Sequence, residues 1–361
     1  MNILRAIFPK KMVGVDIGTA SIKIVEVSDW GGIKTLDNYG EAKSDFIFKM
    51  PSSGGKTSIP TAIDNNLASL AIKKILVEAG IKSKTAIFSV PDFYTFCTSF
   101  EIPPMPEKEI SEAIRYNASQ YITLPISEVS LDWKTMSNSS AGGGPLTKVF
   151  IVAIPKQIIE DYRTIAKGAG LDLVAVEAEV FGLVRPLIDG RVSWQPGRKT
   201  ICLTDIGAQS STINIVDQGF LKRSYSSDFG GIGLTNAISS VLNNGYSESE
   251  IIKKKEGINS LKPAVVNALS PLINSFLTEI KDISSDFFQS DKKQVESIWL
   301  TGGAAVMPGL MDYFAKNTQK QISILDCFLN LKRPSIINET LKEIAPRFSV
   351  ATGVALDGLE I

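Results

Sequence analysis

Histidine is absent from this sequence of 361 residues, and cysteine is scarce. Without imidazole groups, histidine-based catalytic triads, histidine metal sites and histidine general bases are excluded. The three cysteines, Cys97, Cys202 and Cys327, stand far apart without CxxC spacing. This pattern predicts free thiols in a reducing compartment and disfavours structural zinc. Any chemistry must therefore use carboxylates, lysine, hydroxyl groups or a bound metal ion.

Net charge and long apolar runs are also lacking. Lys plus Arg and Asp plus Glu both number 38, so no global positive charge favours nucleic acid. No uncharged apolar run reaches the roughly 18 residues of a membrane-spanning helix. Residues 1–11 place basic residues after apolar ones, unlike a secretory signal. We predict a cytoplasmic protein that binds no nucleic acid. Its N-terminus is either a loose tail or a short amphipathic segment that contacts a membrane or partner.

The sequence contains an internal repeat. MVGVDIGTASIKIVEV at 12–27 is matched by ICLTDIGAQSSTINIV at 201–216. Each copy has an apolar strand, Asp-Ile-Gly, small and hydroxyl residues, and a second apolar strand, so Asp205 repeats Asp16. One such hairpin is typical of an ordinary turn. Two copies predict two related halves of one molecule.

Small and hydroxyl residues at a hairpin tip can offer backbone N–H and hydroxyl groups to phosphate oxygens without steric obstruction. Two tips that face each other would clamp a polyphosphate. The Asp that ends each first strand would repel the phosphates unless a hard cation lies between them. Asp16 and Asp205 therefore predict magnesium, bound directly or through its waters.

A third segment completes the predicted nucleotide site. SIWLTGGAAVMPGLMDYF at 297–314 predicts a strand that runs into Thr-Gly-Gly and then into a helix. Gly302 and Gly303 would let the backbone approach a nucleotide at the N-terminus of that helix, where the dipole favours anions. A lone Gly-Gly before a helix is a weak signal. Combined with the two hairpins, it predicts a nucleotide rather than free phosphate.

Residues 85–170 predict an inserted subdomain. Strand-like segments at 85–90 and 95–102 flank a Pro-Asp turn, and apolar spacing predicts a helix over 107–121. A buried strand and a helix that is stopped by glycine follow. The stretches 50–58 and 137–145 are rich in Gly and Ser and predict loops.

These residues resemble the actin-like ATPases, in which two related halves close over a magnesium nucleotide. DIGTASIK matches phosphate motif one, TDIGAQSSTINIV phosphate motif two, and WLTGGAAVMPGL the adenosine motif. LDLVAVEAEVFGLV and APRFSVATGVALDGL fall where the two connecting helices should be. The resemblance implies an α/β fold with the following parts: a first lobe (1A) of 1–84 and 171–199, an inserted FtsA-like 1C (SHS2-type) subdomain of 85–170, and a second lobe (2A) of 200–361 with 2B at about 228–297.

The same resemblance implies the residues of the site. Asp16 and Asp205 would hold Mg²⁺, and Glu179 would lie near the attacking water. Because the usual proline after this acid is lacking, we expect at most slow ATP hydrolysis. The residues expected to bind ATP or ADP are Gly18, Thr19, Ala20, Ser21, Lys23, Gly207, Ala208, Gln209, Ser210, Ser211, Gly230, Gly231, Glu250, Lys253, Gly302, Gly303, Ala304 and Met307.

Within the actin-like ATPases the sequence is most similar to the PilM family of type IV pilus assembly. EIPPMPEKEISEAIRYNASQYITLPISEVSLDW, GFLKRSYSSDFGGIGLTNAI and EIKDISSDFF carry this similarity. It implies a scaffold at the cytoplasmic face of the inner membrane whose partner is the N-terminal cytoplasmic tail of PilN. Membrane contact would be indirect, and pilus motor ATPases and self-association are further candidate interactions. The PilN tail would dock between the first lobe and the insert.

Two other functions fit the same fold. A small-molecule kinase or phosphatase would need a clear catalytic acid, and only Glu179 is available. An FtsA-like cell-division filament protein would carry a membrane anchor after a C-terminal linker, and the end of the sequence at VALDGLEI leaves no room for one. The aromatics around the start of the insert either build its core or line a docking groove; they are Phe88, Phe93, Tyr94, Phe96 and Phe100.

Overall fold

The computed structural model describes residues 9–44, 46–49, 62–135, 147–188 and 199–361. The predicted loops at 50–58 and 137–145, and residues 1–8 of the N-terminal segment, lie outside the described residues. In the described parts of the chain, no helix is both long and apolar enough to cross a bilayer.

The first part of the chain builds a sheet around one hairpin. Its elements are β1 (Lys10–Ile17), β2 (Ser21–Trp30), β3 (Ile33–Lys43), the short pair β4 (Phe48–Lys49) and β5 (Ala62–Ile63), α1 (Asn65–Glu78) and β6 (Thr85–Val90). β1 is antiparallel to β2 and parallel to β6. α1 begins after Asp64, whose carboxylate accepts two backbone N–H groups of the first turn. Its face with Ala68 and Ile72 is buried against the sheet.

A separate small sheet follows. It contains β7 (Phe96–Ile102), α2 (Glu107–Ala118), β8 (Val129–Thr135) and β9 (Thr147–Pro155). The strand order is β7–β9–β8, and both pairs are antiparallel. Ile114 and Ala118 of α2 pack onto Ile102 and Ile151, so this insert has a core of its own.

The insert is narrower than the predicted range of 85–170. The next elements are α3 (Lys156–Ala169), β10 (Asp172–Ala178) and α4 (Glu179–Ile188). β6 lies inside the first sheet, whose order is β10–β6–β1–β2–β3, and α3 packs against α1. Apolar periodicity identifies strands and helices but does not reveal which sheet each joins. We therefore place the insert at 91–155, with both ends of the predicted range in the first lobe.

The second half of the chain repeats the topology of the first sheet. Its elements are β11 (Thr200–Ile206), β12 (Ser211–Asp217), β13 (Phe220–Ser227), α5 (Gly231–Leu242), α6 (Tyr246–Lys255), α7 (Pro263–Asp291), β14 (Ser297–Thr301), α8 (Leu310–Thr318) and β15 (Gln321–Ile324). The order is β13–β12–β11–β14–β15. β11 is antiparallel to β12 and parallel to β14, as β1 is to β2 and β6. The repeat in the sequence is thus a repeat in the fold.

The end of the chain returns to the first lobe. After α9 (Asn338–Ile344), α10 (Ser349–Glu360) lies on the first sheet, where Val354 and Leu356 are buried with Met12 and Val25. The predicted second lobe of 200–361 therefore includes a helix that packs on the first lobe. Almost the whole circumference of α10 is buried, because the sheet covers one side and α4 another.

α4 and α10 cross at two glycines. A Cβ on Gly353 would lie 1.8 Å from the carbonyl oxygen of Gly182, so only glycine permits this close approach. Leu183 and Val184 of α4 are buried in one core with apolar residues of the second sheet. The two helices therefore connect the lobes, one packed on each sheet.

Candidate functional site

A cleft opens between the tips of the two repeated hairpins. Many of the residues predicted to bind a magnesium nucleotide line this cleft: Asp16, Gly18, Thr19, Ala20, Ser21 and Lys23 from the first hairpin, Asp205, Gly207, Ala208, Gln209 and Ser210 from the second, and Glu179, Gly302 and Gly303 from beside them. The strand register explains this convergence, because both tips follow equivalent central strands.

Both tips have the same turn. The N–H of Gly18 donates to the carbonyl of Ser21 over 3.2 Å, and the N–H of Gly207 donates to the carbonyl of Ser210 over 3.0 Å. The N–H groups of the two residues between Gly18 and Ser21 find no acceptor within the described parts of the chain. Such free N–H groups at a bare tip can bind an anion.

The two repeated aspartates have different surroundings. Asp16 is buried, accepts a hydrogen bond of 2.9 Å from Ser89 Oγ, and lies 3.6 Å from the Lys23 ammonium. Burial and the negative charge of Asp16 raise the pKa of Asp205 to about 7, against a partial opposing effect of Lys23. The Asp205 carboxylate therefore binds a proton near neutral pH unless a metal cation replaces that proton.

Glu179 is the first residue of α4 and is half-buried in the lining of the cleft. Burial, followed by the charges of Asp92, Asp205 and Asp16, raises its pKa well above the usual value. Burial also raises the pKa of Asp92, against hydrogen bonds from Ser226 and others. A raised pKa favours the neutral form of the Glu179 carboxyl group, and that form is a poor base.

Several groups in the cleft were not predicted from the sequence. The sequence predicts a turn at Asp92. In the structure this residue lies in a short 3₁₀ helix at the start of the insert. Glu41 of β3 accepts a hydrogen bond of 2.7 Å from Ser21 Oγ and pairs with Arg347 at 3.0 Å. Arg347 follows α9, in the segment that leads into α10. In the sequence, the only feature that marks Asp92, Glu41 and Arg347 is a charged side chain next to an apolar segment.

The cleft has an excess of negative charge. Its lining contains five carboxyl groups, Asp16, Glu41, Asp92, Glu179 and Asp205, and two cationic groups, Lys23 and Arg347. Among the described residues, no three Asp, Glu, Cys or His side chains converge closely enough to hold a metal ion by themselves. A hard cation here would therefore need ligands from a phosphate or from water.

The other predicted binding residues lie behind the cleft surface and outside its lining. They are Ser211, Gly230, Gly231, Glu250, Lys253, Ala304 and Met307. Gly231 donates its N–H to the carbonyl of Gly207 over 3.0 Å, so the start of α5 supports the second tip. Lys253 Nζ donates to the Gly231 carbonyl over 2.8 Å and pairs with Glu250 at 2.7 Å. Burial lowers the pKa of Lys253.

The Thr-Gly-Gly segment differs from its prediction. α8 begins only at Leu310, so Gly302 and Gly303 precede a stretch of turns and do not lie at a helix N-terminus. Gly302 has a φ of +89°, and a Cβ there would lie 2.1 Å from Asp205 Oδ1. The glycine therefore lets the backbone pass beside the Asp205 carboxylate. The sequence contains three glycines in this segment, and only the structure shows that Gly309 precedes the helix.

The aromatics at the start of the insert divide between three places. Phe88 is buried in the first-lobe core, edge-on to Tyr162. Phe100 stacks on Tyr121 in the insert. Phe93 contacts Phe48 and lines the cleft. Core packing therefore accounts for Phe88 and Phe100.

Two sheets of equal topology on either side of a cleft, joined by crossing helices, define an actin-like fold. Solved structures agree. The structure described as a PilM–PilN type IV pilus biogenesis complex matches with a TM-score of 0.82 and 24% identity, over 97% of this chain and 99% of that chain. The ethanolamine utilization protein EutJ from Carboxydothermus hydrogenoformans matches with a TM-score of 0.55 and 17% identity, over 97% of this chain and 91% of that chain.

The family follows from sequence comparison. The model of the family "Type IV pilus assembly protein PilM" matches residues 14–359. The chain belongs to this family of type IV pilus assembly proteins. Cell division protein FtsA from Enterococcus faecalis is 25% identical over 342 residues, which cover 83% of this chain and 75% of that protein. The actin-like fold and the PilM family, both predicted from the sequence, are confirmed.

Proposed function

We propose that this protein binds ATP or ADP with Mg²⁺ between its two lobes and acts as a cytoplasmic scaffold of pilus assembly. The observation that carries the proposal is the pair of repeated hairpin tips on one cleft, each with an aspartate at its base, buried in the first hairpin and half-buried in the second. Phosphate oxygens would accept from the free N–H groups of the first tip. Lys23 and Arg347 would add positive charge.

The residues present fit a magnesium ion that the nucleotide brings with it. Asp16 and Asp205 would bind the waters of the ion, and the phosphates would supply further oxygen ligands. Because Asp205 has a pKa of about 7, ion binding would displace a proton from it. Glu250 and Lys253 would shape the nucleoside end of the site through Gly231.

Hydrolysis would be slow. Glu179 is the candidate acid beside the attacking water, and its neutral form cannot accept a proton from water. We therefore expect nucleotide occupancy, rather than turnover, to be the main output of the site. A phosphate-release rate near the enzyme median of about 10 per second would contradict this expectation.

The partner we propose is the N-terminal cytoplasmic tail of PilN. Support comes from membership of the PilM family and from the similarity to a structure described as a PilM–PilN complex. The tail would dock in the groove between the first lobe and the insert, near Tyr94 and Phe96, with a few apolar anchors. Membrane contact would then be indirect, through this inner-membrane partner.

Calorimetry tests the nucleotide site. The double variant Asp16→Ala/Asp205→Ala should abolish magnesium-dependent binding of ATP and ADP. The matched control is Asp282→Ala/Asp286→Ala, which removes two exposed carboxylates from α7. An affinity in the first variant equal to that of the control would show that the clamp is wrongly assigned.

A labelled PilN tail peptide tests the docking site. Phe96→Ala should weaken binding by about tenfold, because a buried aromatic anchor contributes much of such an interface. Tyr116→Ala, which truncates an exposed aromatic on α2, should leave the affinity unchanged. Equal affinities for the two variants would place the docking site elsewhere.

A further inference from the structure

Asp92 lies where the chain leaves the first lobe for the insert. It follows β6 after Pro91 and begins the short helix Asp92–Tyr94 that precedes β7. Its carboxylate accepts a hydrogen bond from Ser226 Oγ of β13 in the second lobe. Its carboxyl group and its backbone N–H both lie next to the carboxyl group of Glu179, the first residue of α4. A single residue thus connects both lobes at the base of the insert.

The insert has further contacts with the second lobe. β7 lies beside β13. Lys148 Nζ lies 4.0 Å from Asp291 Oδ1, and Lys134 Nζ lies 5.4 Å from the ring centre of Phe220. The residues of these two contacts lie outside the cleft lining, whereas Asp92 itself lines the cleft. Of the three contacts, the bond from Ser226 to Asp92 is therefore the one that a ligand in the cleft would affect directly.

We propose that Asp92 is a positioning residue that links the occupancy of the cleft to the orientation of the insert, by joining the start of the insert, at the end of β6 in the first lobe, to Ser226 of the second lobe. The inference rests on the proposed nucleotide site. When the lobes rotate about a ligand, the separation between β6 of the first lobe and β13 of the second lobe changes. Asp92 follows β6 after Pro91 and accepts a hydrogen bond from Ser226 of β13, so β7, which begins four residues later, must follow that movement.

A purely local role for Asp92 makes a different prediction. Its carboxylate also accepts the N–H of Phe93 and so stabilises its own short helix. That role does not require Ser226. Ser226 is exposed and lies outside the cleft lining, so removing its hydroxyl group separates the coupling from the local structure and from nucleotide binding.

Hydrogen–deuterium exchange with mass spectrometry, on the full chain with and without Mg-ADP, tests the link. In the wild type, Mg-ADP should slow amide exchange in β7 and β9. Ser226→Ala should lose at least half of this protection while its affinity for Mg-ADP stays within about twofold of the wild type, as expected when only a coupling energy is lost. Ser247→Ala, the same change at an exposed position of α6, should behave as the wild type.

Two Asp92 variants complete the experiment. Asp92→Asn keeps an acceptor for Ser226 and offers an amide donor to Glu179, so it should retain most of the protection of β7. Asp92→Ala should lose it. If Asp92→Asn loses as much protection as Asp92→Ala, the charge of the group matters and the positioning role is wrong.

Full protection in Ser226→Ala would likewise overturn the proposal, even if Asp92→Ala fails to fold. Calorimetry on the wild type comes first. An absence of Mg-ADP binding there would overturn the proposed function and the coupling together. Binding without any protection of β7 in the wild type would overturn the coupling alone.

Discussion

The two hairpins at the cleft have the same backbone and different charge partners. In the first, Asp16 lies opposite Lys23 in the strand register, and the ammonium lies 3.6 Å from the carboxylate. In the second, Asp205 lies opposite Thr212, which has no charge. Ser89 also donates to Asp16. The protein itself supplies a cation at the first tip and none opposite the second aspartate.

This difference gives the two repeated aspartates different electrostatic surroundings. Partial burial and the charge of Asp16 raise the pKa of Asp205 to about 7. In the first hairpin the carboxylate of Asp16 is therefore paired with a lysine. In the second hairpin the carboxylate of Asp205 can bind a proton or a metal ion. We infer that the second hairpin makes the site dependent on magnesium.

The largest expected effect concerns the backbone beside Asp205. In Gly302→Ala, the new Cβ would lie 2.1 Å from Asp205 Oδ1, at a φ of +89°. Left-handed backbone and overpacking together should lower the free energy of unfolding by about 3 kcal/mol. Urea denaturation without ligand measures this loss.

Gly303→Ala is the matched control for Gly302→Ala. The nearest neighbour of a Cβ at Gly303 is Arg347 Cγ, at 3.9 Å, and the backbone is not left-handed. This variant should stay within about 0.5 kcal/mol of the wild type. Equal losses in the two variants would mean that the backbone beside Asp205 is not tightly packed.

The second prediction concerns pH. The folded-state pKa of Asp205 lies above its unfolded value, so between about pH 4 and pH 7 the folded state holds a proton that the unfolded state has lost. Stability must therefore fall as pH rises through this window. From pH 5 to pH 7 the contribution of Asp205 should decrease by about 2 kcal/mol, given 1.4 kcal/mol per unit.

Asp205→Asn isolates that contribution. Without magnesium or nucleotide, the wild type should lose about 2 kcal/mol more than this variant between pH 5 and pH 7. Asp92, whose pKa is also raised, remains in both proteins, and Glu179 keeps in both the two largest causes of its raised pKa, burial and the charge of Asp92. Parallel pH profiles for the two proteins would refute an elevated pKa at Asp205.

Much of this fold could be predicted from the sequence because local pattern and global topology agree. The alternation around each Asp-Ile-Gly specifies a hairpin, and the repeat specifies two related sheets. The limits of the insert could not be predicted, because β6 and α3 have the same apolar spacing whichever sheet they cover. The position of α10 on the first sheet likewise depends on a long-range contact, between Gly182 and Gly353.

The candidate site was predictable where its residues belong to the repeat. Asp92 and Arg347 reach the cleft from a turn and from the segment before α10, so their role depends on tertiary structure. Glu250 and Lys253 form an ion pair whose lysine holds the Gly231 carbonyl, and their predicted contact with the nucleoside stays a prediction. A sequence motif predicts roughly where its residues lie in the fold, but it does not predict which of their side chains reach the cleft surface.

The smallest expected effect tests the lysine that distinguishes the two hairpins. Lys23→Met keeps most of the side-chain volume and removes the cation opposite Asp16. The phosphates would then meet the acidic cleft with Arg347 as the remaining cationic side chain of its lining. We expect the affinity for Mg-ADP to fall by about tenfold, or 1.4 kcal/mol, in calorimetry at constant magnesium.

The matched control for Lys23→Met is Lys43→Met. Lys43 lies on β3 next to Ser21 in the strand register, but it is exposed and outside the cleft lining. Solvent screens its charge, so its removal should change the affinity less than about twofold. If the two variants weaken binding equally, the loss reflects the net charge of this region rather than a contact with phosphate. If neither does, the first hairpin does not supply the cation of the site, and the asymmetry between Asp16 and Asp205 has no role in nucleotide binding.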